Sequence, residues 1–523
     1  MNELKQMLDK RPDLQPYLFC RGFLVTDQEL DTSLYPFYGN WSETPIRGKY
    51  HAYTHKQIKT TVITSGERSF FFCGHAFNPF TMEIEEEKVL TRIAESYGTV
   101  AYWDRLAEIT GVYVYGVSDG KKIEYLVDPS GMQSAYYGKV RDHFYITSHS
   151  QIIGDLNDLQ MNEITKELIG YKWYHRVMGD YLPGDLTQFD EVKRIIPSIS
   201  YTFDGTTVTH KRFWPTENLA TAIAPDDYQQ VIVEAAIILK NNMELISRKW
   251  KKPYISLTGG IDSNTTFAAA NGVYDRFKVF SYVSAEKETI DAAAAEKIAG
   301  HFQVPYLRFD IPERKEELKD FDELVQIIEH NNGHIIKRNE NEYRKRVYLM
   351  QHLDCDVEVK SWVSETIRAY WYKHYGRKSF PKLSPKLFRN LYKIFLTNRK
   401  LAHKVDKIFA QYIKDFEYES IPASYPIADM HYNEVTWGSW GGPNISEMKM
   451  YSDITFVYNN RKFFDLMFRV PLEKRISDQH HLDMKKVLNK DLYDMNIRVV
   501  NLKETDTRAF LLNCIFTLNC LLP

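Results

Sequence analysis

One nine-residue string, Ser256-Leu257-Thr258-Gly259-Gly260-Ile261-Asp262-Ser263-Asn264, constrains this chain more than any other stretch. It follows the apolar run PYIS and precedes an alanine-rich segment, so it reads as a glycine turn between a buried strand and a helix. A long helical pattern, DDYQQVIVEAAIILKNNMELISRK, leads into it. The same grammar repeats in FKVFSYVS, ETIDAAAAEKIAGHF and VPYLRFDI. Strand, helix, strand in that order predicts a parallel sheet with crossover helices, and from about residue 313 the pattern is mostly helical.

The first part of the chain has a different texture. From about 20 to 212, short aromatic and β-branched runs such as GVYVYGVSDGKKIEYLVD alternate with DG, SG and GK turn signals, which predicts antiparallel strands. SISYTFDGTTVTH, 198 to 210, is the clearest hairpin, turning at Asp204-Gly205. FWPTENLATAIAPDDY follows neither period. The expected division is therefore an α+β region over 1–212, a linker over 213–228 and an α/β region with a helical carboxyl half over 229–523. At 523 residues more than one domain is expected.

Composition narrows the classes of function. Hydrophobic residues are 44% and charged residues 26%, which excludes a disordered or collagen-like chain. With 67 Lys and Arg against 69 Asp and Glu, no global field points to a polyanion or a membrane surface. The 5 Cys contain no CxxC pair, so neither a disulfide framework nor a cysteine zinc site is expected. The amino terminus lacks a signal-peptide core, and LLNCIFTLNCLLP is too short to span a bilayer and reads as a terminal helix, so a cytoplasmic protein is expected.

The residue types in the string suit one ligand. Two glycines let the backbone approach phosphate oxygens, Thr258 and Ser263 offer hydroxyls, and a helix starting near Asp262 aims its free amides and positive dipole end at an anion. Asp262 beside a triphosphate would be repelled unless it ligates a bridging magnesium ion. An ordinary capped turn explains one glycine and one Ser or Asp, not the whole string.

Without the G-K-[ST] ending of a Walker loop, Leu257 to Ser263 resembles the SGGxDS pyrophosphate loop of N-type ATP pyrophosphatases. Within that class it looks most like the asparagine synthetase and β-lactam synthetase family. The resemblance implies phosphate contacts from Leu257, Thr258, Gly259, Gly260, Asp262 and Ser263, with ATP and Mg2+ as cofactors. It places Asp291 as the acid opening the helix after the adenine-side strand, unless Asp291 only caps that helix. It likens the first 212 residues to an amidotransferase-like sandwich, with Asp128 and Gly131 on an Asp-x-x-Gly turn.

Two departures shape the expected activity. The family's glutaminases use a cysteine directly after the initiator Met, where this chain has Asn2. Cys20, in a predicted strand, and Cys73 read as buried structural thiols, so use of glutamine is not expected. At 358–365, EVKSWVSE stands where the family shows an SGxGxDE loop, and only Ser361 and Glu365 align. Either Glu365 completes the magnesium shell with Asp262, with Ser361 at the nucleotide, or the stretch is a plain strand-to-helix segment. Arg368 follows on the face of Glu365. Asn459, Asn460 and Arg461 stand where the family has Asp. Lys485 is the implied triphosphate contact and Lys503 the implied late lysine that neutralises charge during acyl transfer.

The expected reaction is ATP-dependent adenylation of a substrate carboxylate, followed by attack of an amine or free ammonia. A non-catalytic nucleotide-binding scaffold and an ATP-dependent nucleic-acid-modifying enzyme are the alternatives. Residues 373–407 hold 11 Lys or Arg and one acid, Asp406, and read either as a landing strip for an acidic carrier or polyanion or as a solvated helix pair.

Overall fold

A computed structural model describes residues 2–175, 179–215, 219, 225–497, 499 and 506–521. Twelve strands precede the glycine string: β1 Phe23–Thr26, β2 Trp41–Pro45, β3 His51–His55, β4 Thr60–Ser65, β5 Arg68–Phe77, β6 Thr110–Ser118, β7 Ile123–Val127, β8 Tyr136–Val140, β9 His143–Thr147, β10 Val192–Arg194, β11 Ile199–Phe203 and β12 Val208–Arg212. They form two six-stranded antiparallel sheets, in the orders β10-β8-β9-β1-β3-β2 and β12-β11-β7-β6-β5-β4. β5 and β6 pair along nine residues, and β6 is buried along its whole length, as the run VYVY permits. The expected hairpin is present: Phe203 faces Val208, and the Asp204 carboxylate caps the turn by accepting from the Thr206 and Thr207 amides.

The second region contributes β13 Pro253–Ser256, β14 Lys278–Val283, β15 Tyr306–Asp310, β16 Val357–Lys360 and β17 Asp453–Phe456. These make a parallel sheet of order β15-β14-β13-β16-β17. The chain steps outward from β13 through β14 to β15 and then returns to the opposite side of β13 with β16. β13 is therefore the point where strand order reverses, and a crevice opens beyond its carboxyl end. One continuous apolar core runs through the structure, from Phe72 and Tyr115 in the antiparallel region to Val279, Val359 and Phe464 in the parallel one.

Three expectations need correction. Cys20 does not lie in a strand: Pro12–Tyr17 is a 3-10 helix, Phe19 and Arg21 take positive φ, and the first strand starts only at Phe23. The predicted linker is shorter at its carboxyl end, because a helix already runs from Pro225 to Lys249. The basic segment is only partly exposed. Arg389 is fully buried on Asp406 at 2.6 Å, and Lys393 is buried over the Tyr174, Tyr181 and Tyr392 rings with its ammonium on the Gly179 carbonyl. Lys373 pairs with Asp478 at 2.5 Å and Lys404 with Glu167. Burial therefore removes Arg389 and Lys393 from the surface, while Lys378, Lys382, Lys400, Lys404 and Lys407 stay exposed.

The terminal helix Asp506–Leu521 is present as expected, and no helix among the described residues is long and apolar enough to cross a membrane.

Candidate active site

The string forms the turn it predicts. β13 ends at Ser256, Gly260 is the N-cap, and the helix runs from Ile261 to Ala269. Ser263 ties the loop together: its hydroxyl accepts from the Thr258 amide at 3.1 Å and lies 2.9 Å from Thr258 Oγ1, which accepts from the Gly260 amide at 3.1 Å. Asn264 Nδ2 donates to the carbonyls of Thr258 and Gly260. The loop shape is thus built by its own side chains, at a helix N-terminus whose first amides have no partner within the helix. At Gly259 a Cβ would come within 2.0 Å of Val499 Cγ2, so the close approach of a distant segment requires glycine there.

The loop opens into a cleft of about 440 Å3. Leu257, Thr258, Gly260, Asp262, Ser263, Ser361 and Glu365 all line it, so most of the predicted set is gathered in one place. Ser361 follows β16, adjacent to β13, and its hydroxyl meets Thr266 Oγ1 at 2.7 Å. Asp291 also faces the cleft, but it is not the residue that opens its helix: Glu286 begins Glu286–His301, and Glu288 accepts from the Ser284 amide. Asp291 instead accepts from the Gly259 amide at 3.0 Å, and burial pushes its carboxyl up.

Asp262 and Glu365 meet on one cation. Arg368 Nη1 donates to Asp262 Oδ2 at 2.6 Å and also to Glu365 Oε1. The other edge of the guanidinium forms a two-point fork with Asp478, Nε to Oδ1 at 2.8 Å and Nη2 to Oδ2 at 2.9 Å. Burial pushes the carboxyls of Asp262 and Glu365 up, against the pull of Arg368. Burial acts on Asp478 in the same direction, but Arg368 and Lys373 outweigh it and hold that carboxyl well below its usual range. Behind Asp262, burial pushes His481 down to about 3, so a neutral ring lies 3.8 Å from Asp262 Oδ1. Asp478, Lys373 and His481 are not legible as partners of this site in the sequence, because nothing in DQHHLDMKK or AYWYKH signals a contact more than 100 residues away.

The donor set fits magnesium. Two carboxylates converge at the mouth of the 257–263 loop, and Asp262 Oδ1 is buried with no hydrogen-bond partner among the described residues. Magnesium is commonly held by one or two carboxylates together with substrate phosphates. Among the described residues no group of three or more His, Cys, Asp and Glu could hold a metal ion.

The far wall of the cleft is aromatic. A π-helical stretch, Tyr432–Gly441, supplies Tyr432, Trp437 and Trp440, and Trp362 stacks with both tryptophans at ring separations of 6.2 and 5.7 Å. Tyr370 stacks on Tyr432 at 4.6 Å. Trp362 is therefore one side of a platform. Lys360, paired with Glu358 at 2.5 Å, lies over the same ring.

Lys485 does not line this cleft. It is buried over Tyr493 and lines a separate cleft with Ile261 and Leu482. Lys503 lies outside the described residues. Asn459, Asn460 and Arg461 join the two regions: Asn459 Nδ2 donates to Asp128 and to the Gly111 carbonyl at 2.8 Å, Asn460 to the Glu108 carbonyl at 2.8 Å, and Arg461 to the Val127 carbonyl at 3.0 Å. Asp128 also accepts from the amides of Ser130, Met132 and Gln133, which fixes the turn that contains Gly131.

No protein-family model matches the chain, and no curated protein matches it. Among solved structures it is similar to the allosteric regulatory enzyme of purine biosynthesis at 11% identity and a TM-score of 0.24, covering 62% of this chain and 90% of that one. It is also similar to the glutamine phosphoribosylpyrophosphate amidotransferase from B. subtilis complexed with ADP and GMP, at 9% identity and a TM-score of 0.23, covering 68% and 73%. At these values neither enzyme informs the chemistry of this chain.

Proposed function

We propose that this chain is an ATP-dependent ligase of the asparagine synthetase-like kind, which adenylates a substrate carboxylate and passes the acyl group to an amine or free ammonia. The observation that carries this reading is the convergence of Asp262 and Glu365 at the phosphate-shaped loop beyond the carboxyl end of β13. In the reaction a carboxylate oxygen attacks the α-phosphorus of ATP, the bond to the β-phosphate breaks, and pyrophosphate leaves from the cradle. The amine nitrogen then attacks the acyl carbon, AMP departs, and the amine gives up a proton.

Bound magnesium would offset the charge that develops on the leaving pyrophosphate, held by Asp262 and Glu365. The chain's own part is positioning. Thr258 to Ser263 fix the phosphates by backbone and dipole, and the Trp362, Trp437 and Trp440 platform holds the flat face of a substrate while keeping water out. Cys20 and Cys73 are both buried, which agrees with ammonia or an amine rather than glutamine as the nitrogen source.

A second reading, a nucleotide-binding scaffold without turnover, is favoured by Arg368, whose guanidinium takes up both candidate metal carboxylates. Release of pyrophosphate and AMP from ATP against a panel of carboxylates, with ammonia and simple amines supplied, separates the two. Carboxylate-dependent pyrophosphate is the expected result. Nucleotide binding with no pyrophosphate from any member of the panel would favour the scaffold.

A further inference from the structure

The ligase reading gives Asp262 and Glu365 a metal to hold, yet both already have a cation. Arg368 Nη1 contacts both carboxylates, one from the helix Ile261–Ala269 and one from the turn after β16, so it occupies the place where a divalent ion would bridge them. The remaining edge of the guanidinium is pinned by the Asp478 fork, and Lys373 contacts that same carboxylate. Arg368 can therefore give up its Nη1 contacts without losing its anchor.

We propose that Arg368 guards the metal position: Nη1 holds Asp262 and Glu365 against free divalent metal, and metal arriving with nucleotide phosphate displaces Nη1, which transfers to the phosphate. This rests on the proposed nucleotide site and assigns it an order of binding. The charge count supplies the reason. With all groups ionised, three carboxylates face Arg368 and Lys373, a net charge of minus one in a half-buried setting. A bare dication would reverse that sign and leave the guanidinium beside a second cation with no anion to take. A metal carrying triphosphate brings the replacement anion, and a planar guanidinium suits two phosphate oxygens.

The test is a Mn2+ titration read by the electron paramagnetic resonance of the free ion, with and without the α,β-methylene analogue of ATP, which cannot be cleaved at that bond. Wild type should retain Mn2+ weakly alone and much better with the analogue. Arg368→Met should bind Mn2+ alone about tenfold tighter, since the competitor is gone, and bind Mn2+ with the analogue about tenfold weaker, since the phosphate partner is gone. Arg368→Lys should return most of the exclusion of free metal. Opposed shifts of this kind are not produced by a merely structural residue. If Arg368→Met does not fold, Asp478→Asn, which loosens the anchor, should raise affinity for Mn2+ alone by a few fold.

Unchanged or weaker free-metal affinity in Arg368→Met, or in Asp478→Asn where that variant replaces it, overturns the proposal. If wild type binds the analogue with Mn2+ in a manner lost in Asp262→Asn while no variant gains free metal, the guard alone fails. If the analogue binds equally to wild type and Asp262→Asn, or to neither, the nucleotide site fails and the guard with it.

Discussion

Asp262 takes a 2.6 Å hydrogen bond from Arg368, 106 residues further along the chain, and this contact closes the loop that opens at β13 onto the turn that follows β16. Asp262→Asn keeps the shape and removes the charge. It is expected to lower carboxylate-dependent AMP formation by two to four orders of magnitude, about 3 to 5 kcal/mol of transition-state stabilisation, with little change in the thermal midpoint. A coupled pyrophosphate assay beside a melting curve checks both halves. Full activity in the variant would remove Asp262 from the mechanism.

Gly259 and Gly260 are predicted to differ. A Cβ at Gly259 meets Val499 at 2.0 Å and Ala294 at 3.1 Å, whereas at Gly260 the nearest atom is Thr258 Oγ1 at 3.2 Å. Gly259→Ala should cost about 1 to 3 kcal/mol of stability, and Val499→Ala in the same chain should restore most of it. Gly260→Ala should be milder. Chemical denaturation of the two single variants and the double variant measures the coupling.

The thiols of the antiparallel region should be inert in the folded protein. Burial pushes Cys73 up to about 12 and raises Cys20 as well, so almost no thiolate forms at neutral pH and neither sulfur is reachable. Iodoacetamide followed by peptide mass mapping should label the exposed Cys514 first and Cys73 only on unfolding. Glutamate release from glutamine that is lost in Cys20→Ala or Cys73→Ala would contradict this.

His75 and Asp453, 3.0 Å apart, join β5 to β17. Burial would raise the Asp453 carboxyl, but His75, Lys449 and Arg21 outweigh it and hold the group far below its ordinary range. A carboxyl depressed in the folded state binds fewer protons there than in the unfolded chain. Its contribution is present above the ordinary value of 3.8 and is lost as pH falls below it. Asp453→Asn should lower stability by about 2 kcal/mol at pH 6 and by progressively less below pH 4, measured by denaturant titration across that range.

Trp440 is expected to act on the substrate rather than on the nucleotide. Trp440→Ala removes one ring of the platform, which should raise KM for flat or apolar carboxylates several fold while the affinity for ATP stays unchanged. A matched rise in both would place the ring at the nucleotide instead.

Local pattern made several features legible in the sequence. Period-two runs and DG turns predicted the antiparallel strands, because side chains in a strand alternate faces whatever the strand pairs with. The stretch 257–263 was legible as a strand-to-helix turn, because its glycines, hydroxyls and helix start act over a few residues. Glu365 was picked from an altered loop, and the parallel sheet brings it to Asp262.

Tertiary structure decided what each charge faces. Arg368 and Glu365 share a helical face by spacing, yet only the packing of Gln479–Leu488 against Ile261–Ala269 delivers Asp478 to Arg368 and His481 to Asp262. The cations of 373–407 count alike in the sequence, but Arg389 and Lys393 turn into the core while Lys378 and Lys382 stay in solvent. Lys485 has the composition of a phosphate ligand and the position of a packed side chain. Charge interactions depend on separation and on exclusion of water, and for residues a hundred positions apart the fold sets both.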